Sequence, residues 1–241
     1  SRIVEYNSFS FTPIINLKSR MASKAVVTAI LLLGYPESGK AGQCQFINGA
    51  AEWECSGAGI PNVDTTQTIV HQSIDEDLIV STTPGFGHEA LSNSAIRILN
   101  QDQDSNAAVS FLDRNQSKII GNEDGLSVIS AGNSDVSLTS DGEIIGRHQA
   151  GIFAYNRTSA QGLSANLDIS AAKVSGGDVG IFARNSSGGK LKIYAENVSG
   201  DSGNGIAARN DGKSLELTVG MAVGADHGIS ARNLGSDDLT V

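Results

Sequence analysis

Three arginines and a tyrosine occupy one position of a repeated six-residue phrase. Arg184, Arg209 and Arg232 precede the final asparagine of GIFARN, GIAARN and GISARN, and Tyr155 holds that position in GIFAYN. A guanidinium group is a planar donor that matches a carboxylate through two parallel hydrogen bonds. If successive phrases lie side by side, these residues form a stripe able to bind an acidic glycan or the carboxylates of a partner.

The same column also has a structural interpretation. Arginines on the outside of a sheet can pair with acids in nearby loops and keep the face solvated. The candidate acids are Asp178, Asp201 and Asp226. The two interpretations differ in whether the guanidinium groups stay available to a ligand.

A second column consists mainly of charged side chains, the residue types that catalyse polysaccharide cleavage. Asp168, Lys192 and Glu216, followed by Thr240, share one position of an L-x-[IL]-like phrase. Enzymes that cleave polysaccharides cluster carboxylates, often with Ca²⁺ and a basic residue. Here the signs are mixed from one phrase to the next, which favours pairing between neighbouring strands. We predict no catalytic residue in this column.

A protease site is also disfavoured. Gly200-Asp201-Ser202-Gly203 matches the GDSG around the nucleophile of chymotrypsin-like proteases, but it falls where neighbouring repeats have turns. The histidines are scattered, at positions 71, 88, 148 and 227. This spacing assembles no catalytic triad. We therefore predict no catalytic residue, metal site or cofactor.

Cys44 and Cys55 are the only two cysteines, and they flank Asn48-Gly49. Asn-Gly is a strong hairpin-turn signal, so a short-range disulfide is predicted if the compartment is oxidising. Loop closure would make it worth roughly 2–3 kcal/mol. Metal binding is disfavoured because no further ligand lies at suitable spacing.

The phrase itself defines the fold. Copies begin at residues 95, 125, 151, 180, 205 and 228, a spacing of 23 to 30 residues, which is typical of a solenoid. Each repeat adds an L-x-I phrase and a Val-Ser-Gly-like phrase, and all three alternate apolar and polar residues as half-buried strands do. The sequence predicts a right-handed, single-stranded parallel β-helix with three short strands per coil.

Asparagines recur at the end of the phrase. Stacked in register, their side chains would form a structural amide ladder. The predicted members are Asn100, Asn156, Asn185, Asn210 and Asn233.

The first residues differ from the repeats. The uncharged run from Ala25 to Leu33 follows Met21 and basic residues, and Gly39 and Ala41 supply the small residues of a signal-peptide cleavage site. We expect an upstream or extended leader at 1–20, a signal peptide at 21–41 and export through the inner membrane.

The remainder divides in two. Residues 42–94 are predicted to form an N-terminal cap with the disulfide hairpin and irregular first coils. Residues 95–241 are predicted to form β-helix coils that continue beyond Val241, because the last phrase breaks off within a strand.

A signal peptide, a close cysteine pair and the phrases GI-x-A-[RY]-N, L-x-[IL] and V-[SG]-G together resemble the passenger region of type V autotransporters of Gram-negative bacteria, with pertactin-like β-helices. The resemblance covers about residues 21–241. It implies display at the outer membrane or secretion, and a following outer-membrane β-barrel that this chain does not contain.

We therefore expect a non-enzymatic adhesin or virulence-type passenger that binds a host-cell or matrix surface component, or an acidic glycan. The alternatives are a secreted β-helical polysaccharide lyase or hydrolase, and a stalk for a downstream module. Binding to nucleic acid is disfavoured by the net charge of −9.

Overall fold

The computed structural model describes residues 42–48, 51–60, 64–71, 76–101, 103, 105–157 and 164–241, and its regular elements there are all β-strands. The predicted leader, signal peptide and cleavage site (1–41) lie outside the described residues. The strands in chain order are β1 (Gln43–Asn48), β2 (Glu52–Ser56), β3 (Gln67–His71), β4 (Leu78–Thr82), β5 (Gly87–Glu89), β6 (Ile96–Asn100), β7 (Val109–Asp113), β8 (Lys118–Gly121), β9 (Leu126–Ser130), β10 (Val136–Gly146), β11 (Ile152–Asn156), β12 (Leu167–Gly176), β13 (Ile181–Asn185), β14 (Leu191–Gly200), β15 (Ile206–Asn210), β16 (Leu215–Gly224), β17 (Ile229–Asn233) and β18 (Leu239–Thr240).

The strands stack into a parallel β-solenoid of about seven coils, as predicted. A seven-stranded sheet in the order β17-β15-β13-β11-β9-β6-β3 contains the repeated phrase, and we call it the phrase sheet. An 11-stranded sheet, here the long sheet, runs β1-β2-β4-β7-β10-β12-β14-β16-β18 and includes β5 and β8. Each strand pairs in parallel with its counterpart one coil away, except that β1 and β2 are antiparallel.

The predicted second and third strands of a coil are continuous in the later coils. β10, β12, β14 and β16 each run through both phrases, whereas β7 and β8 are separate strands. The register of β10 against β12 shifts between Ser140 and Glu143, which marks the bend where the two phrases meet. The chain therefore turns this corner without leaving the sheet.

Alternation along each strand places the core inside the solenoid. In β13, Ile181, Ala183 and Asn185 are buried, while Phe182 and Arg184 are only partly covered. Burying an isoleucine side chain contributes about 1.5–3 kcal/mol, and Ile96, Leu126, Ile152 and Ile206 are buried at the same position of other coils. Gly180 opens the phrase because coils stack closely there: a Cβ atom on it would lie 2.6 Å from the carbonyl oxygen of Gly205.

The N-terminal hairpin extends the long sheet beyond the first coil. β1 and β2 are joined by a disulfide between Cys44 and Cys55, and β2 pairs in parallel with β4. The buried ring of His88 lies 2.7 Å from the carbonyl oxygen of Gly42 through Nδ1 and 2.8 Å from that of Thr65 through Nε2. These contacts tie the start of the hairpin to the first coil.

Within the described residues the structure has no helix that could cross a membrane.

Candidate functional site

The arginine column lies on the outer face of the phrase sheet. Tyr155 of β11 stands opposite Arg184 of β13, which stands opposite Arg209 of β15, and Arg209 stands opposite Arg232 of β17. Neighbouring strands are roughly 4.8 Å apart, so the column presents one guanidinium group per coil over three coils. The guanidinium of Arg184 lies 5.3 Å from the centre of the Tyr155 ring, in cation–π contact.

The acid that pairs with the arginines is Asp211. Its Oδ1 lies 2.8 Å from Arg209 Nε, and its Oδ2 lies 3.4 Å from an Arg184 terminal nitrogen. The prediction that Asp178, Asp201 or Asp226 supplies these pairs was wrong for the arginines that form ion pairs. Those acids lie in the turns before the phrase strands, whereas Asp211 directly follows β15, at the end of the strands where the arginines lie.

The carboxylate of Asp211 pairs with two arginines, more closely with Arg209 than with Arg184. Burial by itself raises the pKa of Asp211, but hydrogen bonds from Arg209 and Ser186 and the charges of Arg209 and Arg184 outweigh it, so the pKa is lowered. The contact to Arg209 is short, whereas the contact to Arg184 is long. Arg232 is exposed and forms no ion pair with any described residue.

A groove of about 330 Å³ opens beside Tyr155 and Arg184. Arg157, Ser186 and Asp211 also line it. Sequence reasoning missed Arg157, although it directly follows the phrase GIFAYN and could have been found as a basic residue next to the column. Residues 158–163, which follow it, lie outside the described part of the chain.

The second charged column behaves as paired surface. Asp168, Lys192 and Glu216 stand opposite one another on the long sheet, and Lys192 Nζ lies 3.9 Å from Glu216 Oε2. Burial and the charge of Asp135 raise the pKa of Asp168, while Lys192 opposes them. Elsewhere on the long sheet, Glu143 of β10 pairs with Lys173 of β12 at 2.6 Å and with Lys118 of β8 at 3.3 Å.

The phrase asparagines are stacked in register, but their amides mostly serve the turns. Asn156, Asn185, Asn210 and Asn233 are successive neighbours, while Asn100 is separated from them by Ser130. Each of those four donates to backbone carbonyl oxygens, as Asn185 Nδ2 does to Ala165 (3.1 Å) and Lys190 (3.0 Å). Among the described residues, the one amide-to-amide bond joins Asn210 to Asn233 at 3.2 Å. These four asparagines therefore stabilise the corner after β11, β13, β15 and β17, whereas the buried side-chain amide of Asn100 has no hydrogen-bond partner among the described residues.

The GDSG segment is a turn. Ser202 Oγ donates to the carbonyl oxygen of Gly177 at 2.9 Å, and His227 contacts Asn204. Neither contact brings a histidine to the serine. In the described part of the chain, three or more His, Cys, Asp or Glu side chains do not gather in a group able to hold a metal ion.

No known protein family, curated protein or solved structure matches this chain.

Proposed function

We propose that this chain is the β-helical passenger region of an exported, autotransporter-like bacterial protein. In this proposal it binds a host-cell or matrix surface component through the outer face of the phrase sheet. The observation that carries the binding role is the column formed by Tyr155, Arg184, Arg209 and Arg232, in which Arg184 and Arg209 share the carboxylate of Asp211 and Arg232 forms no ion pair with any described residue. A stacked rod exposes such a column along its length, which suits many shallow contacts to an extended, negatively charged surface.

The rest of the surface supports binding at this place. On the long sheet, charged side chains that face one another are engaged in pairs such as Lys192 with Glu216 and Glu143 with Lys173. The excess positive charge on the phrase sheet stands out because the whole chain carries a net charge of −9. Local positive potential on an acidic protein steers anionic partners to one face.

Binding of the purified chain to cultured cells and to immobilised matrix tests the proposal. A variant with Arg184, Arg209 and Arg232 all changed to serine should bind at least about tenfold more weakly, a loss of 1.4 kcal/mol or more. The matched control changes Lys118, Lys173 and Lys192 to serine, which removes the same charge from the long sheet. Equal weakening by both variants, or no binding of the unmodified chain to any surface, would overturn the proposal.

A second candidate function is cleavage of an acidic polysaccharide on the long sheet. A groove of about 410 Å³ there is lined by Asp168, Lys190, Lys192, Lys213 and Glu216, and the raised pKa of Asp168 is what an acid catalyst needs. Assays of acidic polysaccharides with and without Ca²⁺ distinguish this candidate. Release of new polysaccharide chain ends by the unmodified chain, but not by Asp168→Asn, would establish cleavage in place of a purely adhesive role.

A further inference from the structure

We propose that the groove beside Tyr155 and Arg184 is a binding site for a uronate, a pyranose that carries a carboxylate. This inference rests on the proposed binding function and names the ligand class for one point of the arginine column. The lining of the groove extends from Gln103, after β6, to Asp211, after β15. Tyr155 and Arg184 lie between them, at the upstream end of the column, where Tyr155 replaces the arginine.

The size of the groove fits a single sugar unit within a chain. Its volume of about 330 Å³ lies at the lower end of the range for small-molecule sites. A polymer with one unit in the groove would continue over the neighbouring coils. Arg209 and Arg232 lie along that path, because they follow Arg184 in register.

The donors in the groove are not satisfied by the protein. Asp211 is held by Arg209 Nε at 2.8 Å and by Ser186 Oγ at 3.2 Å, which leaves Arg184 with a contact of 3.4 Å. Arg184 Nε is shielded from solvent and has no hydrogen-bond partner. A buried donor without an acceptor is unfavourable, and a carboxylate oxygen that reached this nitrogen would satisfy it.

Arg157 supplies a second cation. It is exposed, lines the same groove, and forms no ion pair with any described residue. Two guanidinium groups with free donors around one groove fit a carboxylate, which accepts bidentate hydrogen bonds from arginine. Asp211 does not neutralise them, because its charge is already shared between Arg209 and Arg184.

The remaining lining is suited to hydroxyl groups. Ser186 and Gln103 contribute polar side chains, Tyr155 contributes a phenol, and Ala131 leaves room without adding charge. A hydroxyl both donates and accepts hydrogen bonds, so these side chains match the ring hydroxyls of a sugar better than the apolar side chains of a peptide. The combination of free cations and hydroxyl partners selects a uronate over a simple anion.

Calorimetric titration of the full chain with oligogalacturonate tests the site against two ligand controls. Methyl-esterified oligogalacturonate keeps the sugar and removes the charge, and poly-glutamate keeps the charge and removes the sugar. We expect oligogalacturonate to bind at least tenfold more tightly than either control. Equal binding of either control, or no binding of oligogalacturonate, would overturn the proposal.

Protein variants locate the site. Arg157→Gln and Arg184→Gln should each weaken oligogalacturonate binding at least tenfold, whereas Arg97→Gln should leave it within twofold. Arg97 is a matched control because it is an outward arginine of the same sheet, on β6, and lines a different groove. Arg157 is exposed and lies outside the strands, directly after β11, so its substitution tests the site even if Arg184→Gln impairs folding. Equal weakening by Arg97→Gln would refute the assignment.

The two proposals fail separately. Cell or matrix binding without oligogalacturonate binding would remove the uronate site and leave the adhesive function. Oligogalacturonate binding without attachment to any cell or matrix would do the reverse.

Discussion

Asp113→Ala should destabilise the fold strongly, because the carboxylate of Asp113 joins three coils. Asp113 ends β7 and is fully buried. Its Oδ1 accepts hydrogen bonds from Thr82 Oγ1 at 2.8 Å, Ser117 Oγ at 2.8 Å and the backbone nitrogen of Asn115 at 3.2 Å. Its Oδ2 accepts one from Ser140 Oγ at 2.9 Å. Thr82, Asp113 and Ser140 belong to successive coils.

The expected loss is about 3–5 kcal/mol. A hydrogen bond to a charged group contributes about 1.5–3 kcal/mol net, so the three short hydroxyl contacts together favour folding by about 4.5–9 kcal/mol. The desolvation cost of the buried carboxylate, several kcal/mol, offsets part of this gain. Removing one partner from a buried charged cluster typically costs about 3–5 kcal/mol, since the other groups are left without partners.

Urea unfolding monitored by circular dichroism measures the loss in the free energy of unfolding, provided that the dependence of this free energy on urea concentration is the same in both proteins. Asp113→Asn is the matched control: it keeps the size and one oxygen, and the hydroxyl of Ser140 can turn to accept from the new amide. We expect it to cost about 1–2 kcal/mol. An alanine variant that loses less than about 1 kcal/mol, or an asparagine variant as unstable as alanine, would refute the reasoning.

Two further predictions concern other parts of the fold. Reducing the Cys44–Cys55 disulfide should lower the free energy of unfolding by about 2–3 kcal/mol, because it closes a loop with a separation of 11 residues. The shift of the urea midpoint on adding reductant measures this loss. No shift, or an equal shift in the Cys44→Ser/Cys55→Ser variant, which has no disulfide to reduce, would contradict the prediction. The hydrogen bond from Lys173 lowers the pKa of Glu143, burial partly opposes it, and Lys118 lowers it further. The stabilisation from this ion pair is therefore present above the ordinary glutamate pKa and is lost as the pH falls through the lower pKa of the folded state. In Glu143→Gln the free energy of unfolding should therefore fall less as the pH is lowered, by about 1 kcal/mol or less. A pH dependence of stability identical to that of the unmodified chain would count against this prediction.

The repeated phrase was sufficient to predict the solenoid and the placement of most strands in the phrase sheet. Glycine, an alternating apolar pair and a terminal asparagine mark β11, β13, β15 and β17, while β6 has Ala95 in place of the glycine and β9 has Ser130 in place of the asparagine. The pairing register of all six strands follows the phrase position by position. The seventh strand, β3, was assigned only to the irregular first coils. Its sequence, QTIVH, lacks both the glycine and the asparagine, although it pairs with β6 like any other copy.

The sequence alone therefore determined the fold class, the inward and outward alternation, and the column formed by Tyr155, Arg184, Arg209 and Arg232. These properties depend on the position of a residue within its coil, and a repeated phrase shows which residues occupy equivalent positions. Only the tertiary structure decided that Asp211 pairs with the arginines, that Arg157 lines the groove, and that the phrase amides bind turn carbonyls. Those contacts join turns of different length on neighbouring coils. The distance between two such turns depends on how the coils stack, and the spacing of residues along the sequence does not give it.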